Sequence, residues 1–211
     1  MYFEGYRDMT SLKPPFQLVA GHAALDLVNT LDNRFCETGP DELLAGYDDL
    51  LRFASQSGLL TERQAKKLRR LRASQAERAE VLHQVKALRE SMAAIAYAQL
   101  EGEDLPSAAL VILEKYFRQA DSHRHLAADK LQVVWNWRGL DNQIAAPLWL
   151  LAQATTDFLL SVPPSQLRCC ACDTCRWLFV DTSKNHTRRW CDMKICGNRM
   201  KARRHHARQT E

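Results

Sequence analysis

The chain has 211 residues, 46% apolar and 26% charged, with a net charge of +4; this is the composition of an ordinary globular protein and excludes wholesale disorder. Its longest apolar stretch, residues 144–160, is interrupted by Pro147, Gln153 and Asp157, too short and polar to span a bilayer. The first fifteen residues lack a basic region followed by an apolar run, so no secretory signal and a cytoplasmic location are expected.

Residues 1–15 end in Pro14–Pro15 and read as a flexible arm. From Gly21, Leu25, Val28 and Leu31 recur at helical spacing and predict a short amphipathic helix. After Pro40, Leu43, Leu44, Tyr47, Leu50, Leu51 and Ala54 predict a second, closed by Gly58. Thr61 with Gln64 reads as a capping box that opens a third. The longest helical pattern runs from about residue 76 to 100, and another follows Pro106 to about residue 120. Residues 131–137 are rich in β-branched and aromatic side chains and read as a strand. Residues 143–161 return to a largely buried helix, and Pro163–Pro164 ends the unit. A mainly α fold is expected, with a helical domain over residues 16–162 and a small separate unit over 165–211.

Charge and cysteines both single out that second unit. From Arg168 onward eleven Lys or Arg stand against four Asp or Glu, a net of +7, whereas the first 167 residues carry −3; the basic end is expected to meet a polyanion. Six of the seven cysteines lie between Cys169 and Cys196, and in a reducing compartment such a cluster points to metal rather than disulfides. Cys170 and Cys175 are separated by four residues, as are Cys191 and Cys196, with fifteen between the pairs. Cys172 and Cys175 form the commoner C-x2-C knuckle, and spacing leaves open whether Cys170 or Cys172 is the first ligand.

The order reads as knuckle, a strand over RWLFVDTS that turns back through KNHTRRW, second cysteine pair, then a helix: a treble-clef-like zinc finger around one structural zinc ion. The unit has few large apolar residues, too few for its own core, and structural zinc contributes on the order of 10 kcal/mol to folding. A closed all-cysteine site argues against zinc hydrolysis, and no carboxylate cluster supports a nuclease, so no enzyme is expected.

The residues WLFVDTS, RRWC and CGNR (Cys196, Gly197, Asn198, Arg199), followed by Lys201, Arg203 and Arg204, resemble the CGNR zinc-finger family. That resemblance implies Cys170, Cys175, Cys191 and Cys196 as the ligands. GHAALDLVNT at residues 21–30 is similar to the start of the ABATE-type helical domain that precedes this finger. The resemblance implies a stress-responsive transcription regulator.

Arg199, Lys201, Arg203, Arg204 and Arg208 on the terminal helix, with Arg188 and Arg189 from the hairpin, are the expected nucleic-acid contacts, DNA above all. Asn198 and Arg199 suit bidentate base contacts; a local bond at the helix start is the equal alternative for Asn198. The rival functions are an RNA-binding or ribosome-associated factor, and a zinc-stabilised protein-interaction adaptor. The helical domain is expected to sense a small-molecule effector or to assemble a homodimer, with no membrane partner. Asp181, Thr182 and Ser183 read as turn residues that bind backbone, not as catalytic ones. Trp135 and Trp137 share a strand face and read as core, and the polar set Asp26, Asn29 and Asp32 has two open readings, pocket or surface.

Overall fold

The structure is a computed structural model that describes residues 13–209, with side chains described through Arg203. Chain order begins with α1 (Ala23–Val28), β1 (Leu31–Asp32), β2 (Asp41–Glu42), α2 (Tyr47–Gln56) and α3 (Glu62–Arg69). Then come α4 (Gln75–Glu101), α5 (Ser107–Asp121), β3 (Arg124–Asp129), β4 (Gln132–Trp137) and α6 (Ala146–Ser161). A 3-10 turn at Pro164–Gln166 leads into β5 (Leu167–Cys169), β6 (Leu178–Val180), a π-helical turn at Met193–Gly197 and α7 (Asn198–Gln209). The fold is mainly α, as the periodicity predicts.

Local signals account for the best-defined helices. Thr61 and Gln64 close the expected capping box on α3, and Ser74 with Glu77 closes a second on α4, so the break at Ser74 is a helix start. Gly102, at φ 71°, ends α4 in the left-handed conformation that glycine adopts without cost. The first helix stops at Val28, and the chain turns through Asn33 (φ 50°) into the β1–β2 pair. Residues 41–42 are therefore strand, and α2 starts only at Tyr47. Arg89, 3% exposed on α4, explains this: its guanidinium bonds both carboxylate oxygens of Glu42, at 2.9 and 2.8 Å, and pins the turn to the helix.

Strand β4 matches the expected one, and its partner β3 pairs with it from Arg124↔Trp137 to Asp129↔Gln132. The Ala- and His-containing β3 carries little intrinsic strand preference, so pairing creates it. Trp137 packs partly against the helical core, but Trp135 is 55% exposed, with the Arg124 guanidinium 4.6 Å from its ring centre; Trp135 is not a core residue.

Two apolar clusters organise the molecule. One lies among α2 to α6 and contains Leu50, Leu51, Phe53, Val85, Leu88, Leu113 and Trp149. The other joins Ala24, Leu25 and Val28 of α1, Met92 and Ala96 of α4, and Phe158 of α6 to Leu167, Trp177, Leu178, Phe179 and Val180 of the carboxy-terminal unit. The apolar residues too sparse to form a core alone are completed by three helices.

Candidate metal centre and nucleic-acid interface

The short antiparallel pair β5–β6 sets Leu167 against Val180 and Cys169 against Leu178. The strand at 178–180 thus pairs with the segment before the first cysteine, and residues 184–190 return as a loop rather than as the second strand of a hairpin. Between the strands the chain makes a tight knuckle: the Cys175 amide donates to the Cys172 carbonyl at 2.9 Å, and Arg176 sits at φ 53°. The Cys170 amide donates to the Trp177 carbonyl at 2.8 Å and closes it.

The sulfurs of Cys170, Cys175, Cys191 and Cys196 lie within 4.8 Å of one another, and all four residues are buried. Cys175 to Cys191 and Cys191 to Cys196 are both 3.6 Å. Four sulfurs at 2.3 Å from a tetrahedral zinc would stand about 3.8 Å apart, so the set fits one such ion with shifts of no more than about 1 Å. The neighbouring sulfurs of Cys175 and Cys191 favour the thiolate of Cys170 and push their own thiols up, and burial pushes Cys196 up. Four thiolates this close repel one another unless a dication neutralises them. The segment is a structural zinc site.

Cys172 stands outside this group, its sulfur 3.5 Å from the Thr174 hydroxyl. Against the cost of its burial, bonds from Thr174 and Arg199 hold the Cys172 thiol below its usual value. Arg199 in turn lines a small cleft with Cys175, Cys191, Cys196, Asp32 and Trp177. Against desolvation, the neighbouring sulfurs of Cys172 and Cys196 favour its charged form. Arg199 thus lies at the rim of the cysteine cluster, where a cation can support metal ligands from outside the coordination sphere.

The rest of the CGNR motif shapes the turn into α7. The Asp192 carboxylate accepts the amides of Lys194 and Ile195 at 2.6 and 3.0 Å and caps the π turn. A Cβ at Gly197 would meet the Met193 sulfur at 2.4 Å, so any larger residue would displace that side chain. Asn198 is exposed and donates from Nδ2 to the Lys194 carbonyl at 3.1 Å, a local bond at the helix start that uses one of its two N–H groups. Asp181, fully buried, accepts the Ser183 hydroxyl (2.5 Å) and the amides of Ser183 (3.0 Å) and Arg188 (2.8 Å). The Ser183 hydroxyl, with those amides, holds its carboxyl below the usual range. This is the turn-binding role, and it shapes the return loop.

The basic residues divide by orientation. Arg188 turns inward: it lies 4.4 Å from the Phe179 ring centre and donates to the carbonyls of Trp190 (2.9 Å), Val19 (3.4 Å) and Cys191. Arg189, Arg199, Lys201 and Arg203 are exposed, and Lys184 and Lys194 join them on the loop and π turn. The side chains of Arg204 and Arg208 lie outside the described residues.

The three polar residues near α1 form the dock for this unit. Asn29 accepts the Leu178 amide at 3.0 Å and donates to the Leu178 carbonyl at 2.9 Å. Asp32 accepts the Trp177 indole at 2.8 Å, and buried Asp26 accepts the Ala20 amide at 3.0 Å. Ala20 then takes the Val180 amide on its carbonyl at 2.8 Å, and Tyr97 donates to the Arg176 carbonyl at 3.2 Å. Polar residues three apart on an otherwise apolar segment were the available signal, but the partners of Asn29 and Asp32 are 149 and 145 positions away.

Two family models match the chain. One, CGNR zinc finger, covers residues 166–209; the other, ABATE, described as "Putative stress-induced transcription regulator", covers residues 21–162. No curated protein matches it.

Proposed function

The chain belongs to the ABATE family and ends in a CGNR zinc finger, and from that premise we propose that it is a DNA-binding transcription regulator. In this reading Cys170, Cys175, Cys191 and Cys196 hold one zinc ion, and the finger meets DNA through Arg189, Lys201 and Arg203, with Arg204 and Arg208 further along α7. The observation that carries it is the exposed cationic side chains at the start of α7, a helix whose sequence contains no acid, set directly on the metal site. A rigid, acid-free basic helix next to a metal-fixed turn suits phosphate and groove contact.

Arg188 leaves the set of expected contacts in this reading, because the Phe179 ring and the loop carbonyls hold its guanidinium, whereas Asn198 and Arg199 are exposed at the start of α7 and remain available to the partner. Trp177 and Phe179 are buried in the shared core, which takes them from the stacking surface that single-stranded RNA requires and favours duplex DNA. The helical domain holds and orients the finger; the protein is a regulator and not an enzyme. Genomic footprinting with the full chain tests the reading. Protection of defined duplex sites is the expected result, and equal, weak binding to every duplex and RNA would count against it.

A further inference from the structure

The β3–β4 hairpin breaks the rule by which a two-sided antiparallel sheet meets water. Such a sheet alternates, polar side chains facing solvent and apolar ones facing the core. Here Leu126 stands directly across from Trp135, and Ala128 from Val133, so all four share one face. That face is in solvent: Leu126 is 62% exposed, Val133 73% and Trp135 55%. At the tip, Leu131 follows the left-handed Lys130 (φ 53°) and is fully exposed. The opposite face also carries Ala127 and Val134, both partly buried. Among the described residues no third strand joins either edge. Scattered exposed leucines are ordinary, but a contiguous apolar face on a two-stranded sheet marks a contact surface.

We propose that this outer face, built from Leu126, Leu131, Val133 and Trp135, joins two copies of the chain. Charge does not oppose a like partner. The face contains no carboxylate, and its neighbouring cation, Arg124, is already taken up by the Trp135 and Trp137 rings and by Gln153 at 2.7 Å. A neutral apolar face meets its own copy without repulsion, whereas the finger, at +7 from Arg168 onward, repels its own copy. Two sheets can also pack face to face around a twofold axis. Size agrees: the four side chains expose on the order of 500 Å² per chain, which places a symmetric contact near the lower limit of specific interfaces. The interface lies in the helical domain, so its existence does not depend on the finger's ligand. If the DNA-binding reading also holds, two linked fingers gain avidity without any further contact.

Sedimentation velocity of the full zinc-loaded chain across a wide concentration range tests the proposal without nucleic acid. A reversible dimer is expected. Val133→Glu and Leu126→Glu should each weaken it about tenfold or more by forcing a carboxylate into the apolar contact, with unchanged circular dichroism. Both positions are exposed in the single chain, so neither change should impair folding. A monomer at every concentration would overturn the proposal, as would a dimer indifferent to both substitutions. Co-sedimentation of a monomeric protein with phosphatidylcholine vesicles would assign the face to a lipid surface instead.

Discussion

The side-chain amide of Asn29 accepts the Leu178 amide and donates to the Leu178 carbonyl, at 3.0 and 2.9 Å, and so completes strand β6 as a neighbouring strand would. Asn29 is 4% exposed and Leu178 fully buried. Asn29→Ala leaves two buried backbone groups without partners, a cost of about 2–4 kcal/mol. Asn29→Asp should be no milder, because the carboxylate cannot donate to the carbonyl and is buried as a charge. Urea unfolding would check the magnitude, and hydrogen exchange should show protection lost first at residues 178–180. A change below about 0.5 kcal/mol would mean that the finger does not depend on this tie.

Zinc removal should reach beyond the finger. The purified protein should carry one zinc, and chelation should unlock residues 167–197. Because Val28, Met92, Ala96 and Phe158 share their core with Leu178 and Phe179, chelation should also expose apolar surface on α1, α4 and α6. The core containing Phe53, Val85 and Leu88 should persist. Dye binding and hydrogen exchange would separate these effects; helices unaffected by chelation would mean the two units are energetically independent. Serine at Cys170, Cys175, Cys191 or Cys196 should abolish zinc retention, whereas serine at Cys36, Cys169 or Cys172 should not. Loss of zinc from Cys172→Ser but not from Cys170→Ser would reverse the assignment.

Asp26 gives the protein a pH dependence of unusual sign. Burial raises its carboxyl from 3.8 to about 6, despite backbone bonds from Ala20 and Val19 that favour the charge. Between about pH 4 and 6 the folded chain binds more protons here than the unfolded chain, so this residue's contribution falls as pH rises through that window. It stays low above pH 6, at a cost of about 2–3 kcal/mol. Asp26→Asn keeps an oxygen for the Ala20 amide and removes the charge. It should flatten that segment of the stability curve and stabilise the protein near neutral pH, measured by denaturant melts at pH 4 and 7.5. A variant less stable than wild type at pH 7.5 would show that the ionised carboxylate is favourable.

The basic residues should separate into two behaviours. Lys201→Ala and Arg203→Ala should weaken binding to every duplex and flatten the slope of log affinity against log salt by about one unit each. Arg199→Ala should also speed zinc loss to a chelator, because it lines the cleft beside the sulfurs, and Arg188→Ala should lower thermal stability, because its guanidinium holds the loop carbonyls. Fluorescence anisotropy across a salt series, paired with zinc release and thermal melts, distinguishes the groups. Salt slopes unchanged by Lys201→Ala and Arg203→Ala would remove α7 from the nucleic-acid interface.

Much of this protein is written in short-range signals. The Thr61 and Gln64 box, the apolar spacing of α4 to α6, the density of cysteines and the CGNR stretch all act within a few positions, where bonding and chelation geometry are nearly fixed by the chain. Tertiary structure decided the rest. Spacing left Cys170 and Cys172 equivalent until the knuckle turned one sulfur into the cluster and the other toward Thr174 and Arg199. Composition made Arg188 and Arg189 alike until Phe179 and the loop carbonyls took the first. Asn29 read as either pocket or surface because its partner lies 149 positions away, and a side chain's role is set by the group that meets it across the core, which neighbouring residues in the chain do not encode.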